Sequence, residues 1–386
     1  METVLKEIEP LIIAYRRALH AIPEPAYKEE KTRDYIVEIL KEIGIKPKKI
    51  INTGIIADID TGRKGLNIAI RSDMDALPIK EKTDLDFSSQ NDGFMHACGH
   101  DGHMAILLGL ALLISKEIDK FSGKIRLIFQ PAEESPPEGG AKLMIEEGCL
   151  DDIDRIIGYH IMPELKWDEI SIASGPVMAS ADEFEIQIIG NGGHASAPEK
   201  TQDTILIASK IVQALVEIVP RTISPLESAV ITCGKIHGGY AFNVIPERVT
   251  ISGTVRTLNE GVQKILEGKI KDTIKKLCEL YNVKYEIAYN KCYPMVVNDE
   301  TSCEFLKNVA YSIYGKNKVF SLKPLMGAED FSLYLKYVKG CYIFFGGRDT
   351  DKFYPLHSPY YTFSEKVLTK AIHFLAKSIQ NSNFWN

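Results

Sequence analysis

Cys98, His100 and His103, with His96 just ahead of them, crowd one short stretch, Met95-His96-Ala97-Cys98-Gly99-His100-Asp101-Gly102-His103. Thiolate and neutral imidazole are the ligands that a borderline-soft divalent ion prefers. The stretch opens directly onto residues 104–114, an apolar run that predicts a buried helix. That run is too short to cross a bilayer, which takes roughly 20 residues. A helix start gives such a loop rigidity and unpaired N–H donors. The plainer reading is a capping loop with incidental histidines. Further ligand-type residues at strand ends downstream favour a metal site.

Three short apolar runs end in such residues. Residues 66–71 lead into Ser72-Asp73-Met74-Asp75, residues 124–129 into Gln130-Pro131-Ala132-Glu133-Glu134, and residues 155–159 into His160. Helical periodicity marks 3–20 and 29–43, and a C-terminal helix is expected over 363–380. Strands alternating with helices predict a mixed, largely parallel α/β sheet flanked by helices. Sites in such sheets form beyond the carboxyl ends of the strands, which brings Asp75, Glu133, Glu134 and His160 towards the Cys98–His100 loop. The pattern changes near Ser180. Strand patterns at 184–190, 228–236, 248–257 and 284–289, with helices at 202–219 and 259–281, give the order β-α-β-β-α-β of a ferredoxin-like α+β unit. The expected organisation is a catalytic domain of residues 1–181 and 294–386, with an inserted domain of residues 182–293.

Composition excludes several classes. The chain has 386 residues, 45% hydrophobic and 25% charged, with a net charge of −6, as expected of a globular protein with more than one core. The acidic balance gives no support to binding of nucleic acid or anionic membranes. The first residues lack the basic and apolar regions of a signal peptide, so a cytoplasmic location is expected. The cysteines number seven and show no paired spacing. Cys149, Cys233, Cys278, Cys292, Cys303 and Cys341 are therefore read as packed thiols rather than a disulfide framework. Enrichment in Lys, Glu and Ile leans towards a thermophilic source, although a biased genome gives the same signal.

The motifs SDMDALP, HACGHDGH, QPAEE, GYH, GGHASAP, NVIP, GTVRT, GAEDF and LHSP occur in this order. On them the chain resembles the aminoacylase/carboxypeptidase metallopeptidase family, in the amidohydrolase branch of hippurate hydrolases, plant indole-acetyl-amino-acid hydrolases and thermostable archaeal carboxypeptidases. The resemblance implies that Cys98, His100, Glu134, His160 and His357 hold two divalent ions, with Cys98 placed to bridge them. Thiolate and imidazole favour zinc, while carboxylate-bearing sites also accept manganese, cobalt or nickel. Successive side chains on an extended segment diverge, so Glu134 can ligate while Glu133 faces a water acidified by the ions and acts as general base. Asp75 resembles the family's aspartate that orients a ligand. Asp73 stands where other branches carry a metal-binding His, so their ligand set must differ. His96 and His103 are expected to shape the loop.

In the inserted domain the resemblance makes His194 a donor to the oxyanion of the tetrahedral intermediate, contributed across a dimer interface. Asn243 and Arg256 are candidates for gripping the substrate's free carboxylate, and Glu329 is expected to face the site. The inserted domain would then serve as lid and dimerisation unit of a homodimer. One departure concerns Ser135-Pro136-Pro137-Glu138-Gly139-Gly140, bulkier than the glycine-rich loop usual after the glutamate pair.

These readings predict a metal-dependent amidohydrolase acting on a small molecule, an N-acyl amino acid or short peptide, at the bond to its C-terminal amino acid. The competing readings are a narrow deacetylase of an N-acetylated biosynthetic intermediate such as N-acetyldiaminopimelate, and a catalytically silent metal-binding relative. A redox protein built on Cys98 lacks a nearby resolving thiol.

Overall fold

A computed structural model describes residues 1–385, which divide into two compact units. The first comprises Met1–Val177, Val296–Lys323 and the described chain from Asp330 on; the second comprises Met178–Met295 and Pro324–Glu329. The helices are α1 (Glu2–Ala21), α2 (Glu30–Glu42), α3 (His100–Lys116), α4 (Gly139–Glu146), α5 (Thr204–Thr222), α6 (Glu260–Leu280), α7 (Glu300–Tyr314) and α8 (Lys366–Gln380). The strands are β1 (Pro47–Ile50), β2 (Gly54–Asp60), β3 (Ile68–Asp73), β4 (Lys124–Gln130), β5 (Arg155–Lys166), β6 (Ile170–Ser171), β7 (Gly175–Met178), β8 (Ser180–Ile189), β9 (Gly193–His194), β10 (Ala229–Gly238), β11 (Val244–Ile245), β12 (Arg248–Thr257), β13 (Lys284–Tyr293), β14 (Val296–Asn298), β15 (Val319–Phe320) and β16 (Gly340–Arg348).

The first unit is built on a sheet of order β1-β2-β4-β3-β5-β16-β6-β15. Its four central strands, β4, β3, β5 and β16, run parallel, and antiparallel pairs flank them. Every residue of β3 is buried, as strands covered on both faces by helices require. Helix α3 is buried from His100 through Ile114, so it lacks the polar stripe of a surface helix. A methyl group at Gly109 would stand 2.5 Å from Cδ1 of Ile372 on α8 and 2.9 Å from Cγ1 of Ile12 on α1. Glycine there lets α1 and α8 close on α3. Helix α1 turns Leu5, Ile8, Ile12, Tyr15 and Leu19 into this core, the spacing of an amphipathic helix.

The second unit is an antiparallel sheet of order β10-β12-β8-β13. With α5 after β8 and α6 after β12, its order is the ferredoxin-like β-α-β-β-α-β. Along β8 the side chains of Phe184, Ile186 and Ile188 are buried, and those between them are partly or fully exposed. The buried set meets Ile207, Ile211 and Leu215 of α5 and Leu266, Ile270 and Ile274 of α6. Asp203 caps α5 and Asn259 caps α6 by accepting N–H bonds of the first turn, which satisfies donors a helix start leaves open.

The details differ from the sequence expectations in a few places. Strand β5 continues to Lys166 instead of ending before His160. Helix α4 begins at Gly139, inside the stretch expected as loop, and β1, β2 and α7 are not among the elements expected from the sequence, although α7 buries Cys303, Leu306, Val309 and Ala310 at helical spacing. Helix α8 starts at Lys366, three residues later than expected, and the N–H of Ser364 ahead of it donates to the carbonyl of Gly347. Among the described residues no helix is long and apolar enough to cross a membrane.

Candidate metal centre

The loop before α3 enters the helix through Gly99, which has φ +86, a conformation glycine adopts without steric cost. The first turn is then tied to α1. Asp101 accepts from Nε of Arg16 and from Nδ1 of His20, both at 2.9 Å. Burial opposes charge on Asp101, but the Arg16 and His20 cations hold its carboxyl well below the usual carboxylate range. Cys98 and His100 therefore sit on a braced corner.

The ligand-type side chains of the first unit gather around that corner. The ligand atoms of Cys98, His100 and His160 lie within 4.8 Å of one another, as do those of Cys98, Glu134 and His357, and those of His100, Glu133 and Glu134. Cys98 is shared by the first two groups. His160 lies within β5, two residues past Gly158, the last residue of β5 paired with β3. Its ring centroid is 4.6 Å from that of His103, which is bonded to Asp73 at the end of β3. Its Nε2 is 3.3 Å from Sγ of Cys98, and its Nδ1 donates to the carbonyl of Ile161 at 2.8 Å. The Nδ1 of His100 likewise donates to the carbonyl of Asp75 at 2.8 Å. Both imidazoles thus keep Nε2 as the lone-pair nitrogen, the arrangement that second-sphere bonds impose on metal ligands. Nε2 of His100 is buried with no hydrogen-bond partner. A soft thiolate, two such nitrogens, a carboxylate and a further imidazole fit a pair of divalent cations.

The Asp75 carboxylate reaches the other side of the site. Its Oδ1 accepts from the backbone N–H of Glu133 at 3.1 Å and its Oδ2 from that of Glu134 at 2.9 Å. One residue therefore orients His100 through its carbonyl and the glutamate pair through its side chain. Nε2 of His357 is 3.0 Å from Oε1 of Glu134, and its ring is half-exposed. Its backbone, held in the left-handed region at φ 64, is tied to the carbonyl of Ala97.

Without cations the electrostatics favour neutral sulfur. Burial, then the charges of Glu134, Glu133 and Asp73, push the Cys98 thiol well above its ordinary range. Burial opposes a charge on His100, but Asp73 and Asp75 overcome it and push that imidazole up to about 10. Burial and the neighbouring His103 hold His160 far below its ordinary value. Divalent cations favour the thiolate and the unprotonated rings, and so reverse the first two states.

The remaining candidates lie in the second unit. His194, on β9, pairs with Val244 of β11, and the N–H of Ala195 donates to the carbonyl of Asn243. This small ladder holds the backbones of His194 and Asn243 on neighbouring segments, with Asn243 opposite Ala195. The N–H of Ser196 donates to Nδ1 of His194 at 3.1 Å, so the neutral ring carries its proton on exposed Nε2. Arg256 stands on the sheet face away from α5 and α6, lining a shallow concavity with Glu183, Thr232, Ser252 and Thr254. Glu329 is buried at the end of the 324–329 segment.

The model of the peptidase family M20/M25/M40 matches residues 69–381. The chain belongs to that family. Within it, the chain is 40% identical over 383 residues to an N-acetyl-L-cysteine deacetylase of Bacillus subtilis (strain 168), covering 98% of this chain and 90% of that protein. It is 39% identical over 369 residues to thermostable carboxypeptidase 1 of Saccharolobus solfataricus, covering 94% and 93%. The crystal structure of YXEP from Bacillus subtilis, described as a dinuclear metal-binding peptidase of the M20 family, superposes with a TM-score of 0.84 at 32% identity, over 97% of this chain and 98% of that one.

Sequence reasoning overlooks what anchors this M20 site from below. Arg71 on β3 donates from Nη1 to Asp73 and from Nη2 to Asp330, both at 2.9 Å, and from Nε to Gln130 at 2.9 Å. Gln130 and the N–H of Ala141 also donate to Asp330. Asp73 in turn accepts from Nδ1 of His103 at 2.7 Å, and Nε2 of His103 accepts from the N–H of Ile161 at 2.9 Å. Although Asp73, His100 and His103 are close enough to chelate, both ring nitrogens of His103 are thus engaged. The lone Arg within an apolar strand was the available signal. Arg71→Met should leave the carboxylates of Asp73 and Asp330 buried without their cation and cost about 3–5 kcal/mol. Urea denaturation of the variant against wild type measures it.

Proposed function

We propose that this M20 enzyme is a metal-dependent amidohydrolase that cleaves the amide between an acyl or peptidyl group and a C-terminal amino acid. Metal-dependent hydrolysis is the chemistry of the family. The observation that carries the finer reading is the sharing of Cys98 between two ligand groups, with Glu133 in a third group beside them.

Cys98, His100, Glu134, His160 and His357 would hold the two ions, with zinc favoured by thiolate and imidazole. When bound, such ions lower the pKa of a water and polarise the amide carbonyl. Glu133 would take a proton from the water that attacks the amide carbonyl and return it to the amine as the C–N bond breaks. Asp75 holds Glu133 and Glu134 by their N–H groups and keeps His100 in the ligating tautomer. His194, protonated on Nε2, is the donor to the oxyanion. Asn243 and Arg256 take the free carboxylate, for which the planar guanidinium offers two parallel hydrogen bonds. Glu329 faces the reacting groups. The inserted domain, expected over residues 182–293, serves as a lid and as the contact between two copies in a homodimer, so that the assisting His194 comes from the partner. All seven cysteines are free thiols, which suits a cytoplasmic enzyme.

The name of the Bacillus subtilis relative favours one alternative, a narrow deacetylase. A substrate panel separates them. The broad enzyme hydrolyses N-acetyl, N-benzoyl and N-benzyloxycarbonyl amino acids, and amidating the C-terminal carboxylate should slow it about 100-fold, because a site built for a charged partner is left unpaired. Turnover of acetyl compounds alone would select the deacetylase.

A further inference from the structure

Glu29, the residue before α2, is fully buried, and among the described residues no cation is paired with it. Its Oε1 accepts from the N–H of Ala132 at 2.9 Å and from that of Tyr27 at 3.0 Å, and its Oε2 accepts from Oγ1 of Thr53 at 2.6 Å. Ala132 is the residue before Glu133. It sits in the left-handed region at φ 57, which an L-residue with a Cβ avoids. Strand β4 has ended at Gln130, and Pro131 has no N–H to anchor the turn. The Asp75 carboxylate holds the next two N–H groups, those of Glu133 and Glu134. Three consecutive amides are therefore clamped by two carboxylates. Tyr27, itself left-handed at φ 63, adds a bond from its hydroxyl to the carbonyl of Gly139 at 3.0 Å. The clamp thus reaches both ends of the segment that carries the glutamate pair.

A buried carboxylate fed only by neutral donors is a poor way to stabilise a fold. Burial, then the like charge of Asp75, push Glu29 up to about 7, so its ionised form is held at a cost. What the carboxylate secures is the turn at Ala132.

We propose that Glu29 is a positioning residue for the hydrolysis: by gripping the Ala132 amide from Thr53 and the start of α2, it fixes the left-handed turn that aims Glu133. This rests on the function proposed above. The test uses full-length Glu29→Ala, Glu29→Gln and Thr53→Val, with kcat, KM, metal per chain and thermal midpoint measured on an N-acyl amino acid that wild type hydrolyses. In Glu29→Ala, kcat should fall 10- to 100-fold, the usual range for losing an outer-sphere partner, with KM within about threefold and metal content unchanged. Glu29→Gln should return kcat to within about threefold of wild type. Its Oε1 can accept from Ala132 and Tyr27 while its amide donates to Thr53. Unchanged kcat in Glu29→Ala overturns the proposal. So does a loss of metal with unchanged turnover per bound metal, or Glu29→Gln as impaired as Glu29→Ala. If Glu29→Ala does not fold, Thr53→Val decides. A several-fold drop in kcat alone supports the proposal, and wild-type kcat overturns it. Failure of the functional reading itself is distinguishable, since wild type would then hydrolyse no acyl amino acid.

Discussion

Glu133→Gln should lower kcat about a thousandfold while the protein still binds two ions per chain. Glutamine keeps the shape of the side chain and the N–H bond of residue 133 to Asp75. It cannot accept a proton and release it again, and positioned proton transfer contributes on the order of 10²–10⁴ in rate. The neighbouring carboxylate behaves differently. Glu134 shares a ligand group with Cys98 and His357, and its charge is held by His357 and His100 against the cost of burial. Glu134→Gln should therefore lose metal as well as rate. Steady-state kinetics with metal analysis on the two variants separates base from ligand. Equal metal loss in both, or undiminished turnover in Glu133→Gln, removes Glu133 from the mechanism.

The fold was legible wherever local pattern carries the information. The fully apolar run after His103 can only be a buried helix, and α3 is one. The alternation at 184–188 can only be a half-covered strand, as β8 is. The ligand-type residues were legible because parallel strands put their last residues on one edge of the sheet, and the edge is reached by reading where apolar runs stop. What stayed hidden was pairing over long sequence distances between residues that look ordinary singly. Asp330 meets Arg71 across 259 positions, and no periodicity links them. His103 resembles a ligand by type and spacing, yet the strand edge at Ile161 and the carboxylate of Asp73 consume both of its nitrogens. Glu29 reads as one more acid in a charged helix start. Only the fold shows that its side chain turns inward to Ala132. His160 illustrates a subtler limit. The residue was legible, but the strand runs on past it to Lys166, because β16 continues the pairing after β3 has stopped.

Removal of the ions with a chelator should abolish hydrolysis and lower the thermal midpoint, and adding back zinc, manganese or cobalt should restore both. Each site saturated a thousandfold above its dissociation constant adds about 4 kcal/mol to stability. The geometry makes a sharper statement about stoichiometry. Sγ of Cys98 belongs to both the His100/His160 group and the Glu134/His357 group, whereas His357 belongs to one. His357 is also half-exposed, at 49% of its side-chain surface, so its loss need not disturb the buried part of the centre. His357→Ala should therefore bind one ion per chain, and Cys98→Ser should bind none at concentrations that saturate wild type. The serine hydroxyl is a much poorer ligand than a thiolate for a borderline-soft ion. Metal analysis after dialysis, with wild type at two per chain, measures all three. A Cys98→Ser protein that retains one tightly held ion would mean that the thiolate serves a single site and that the two cations are joined by another group.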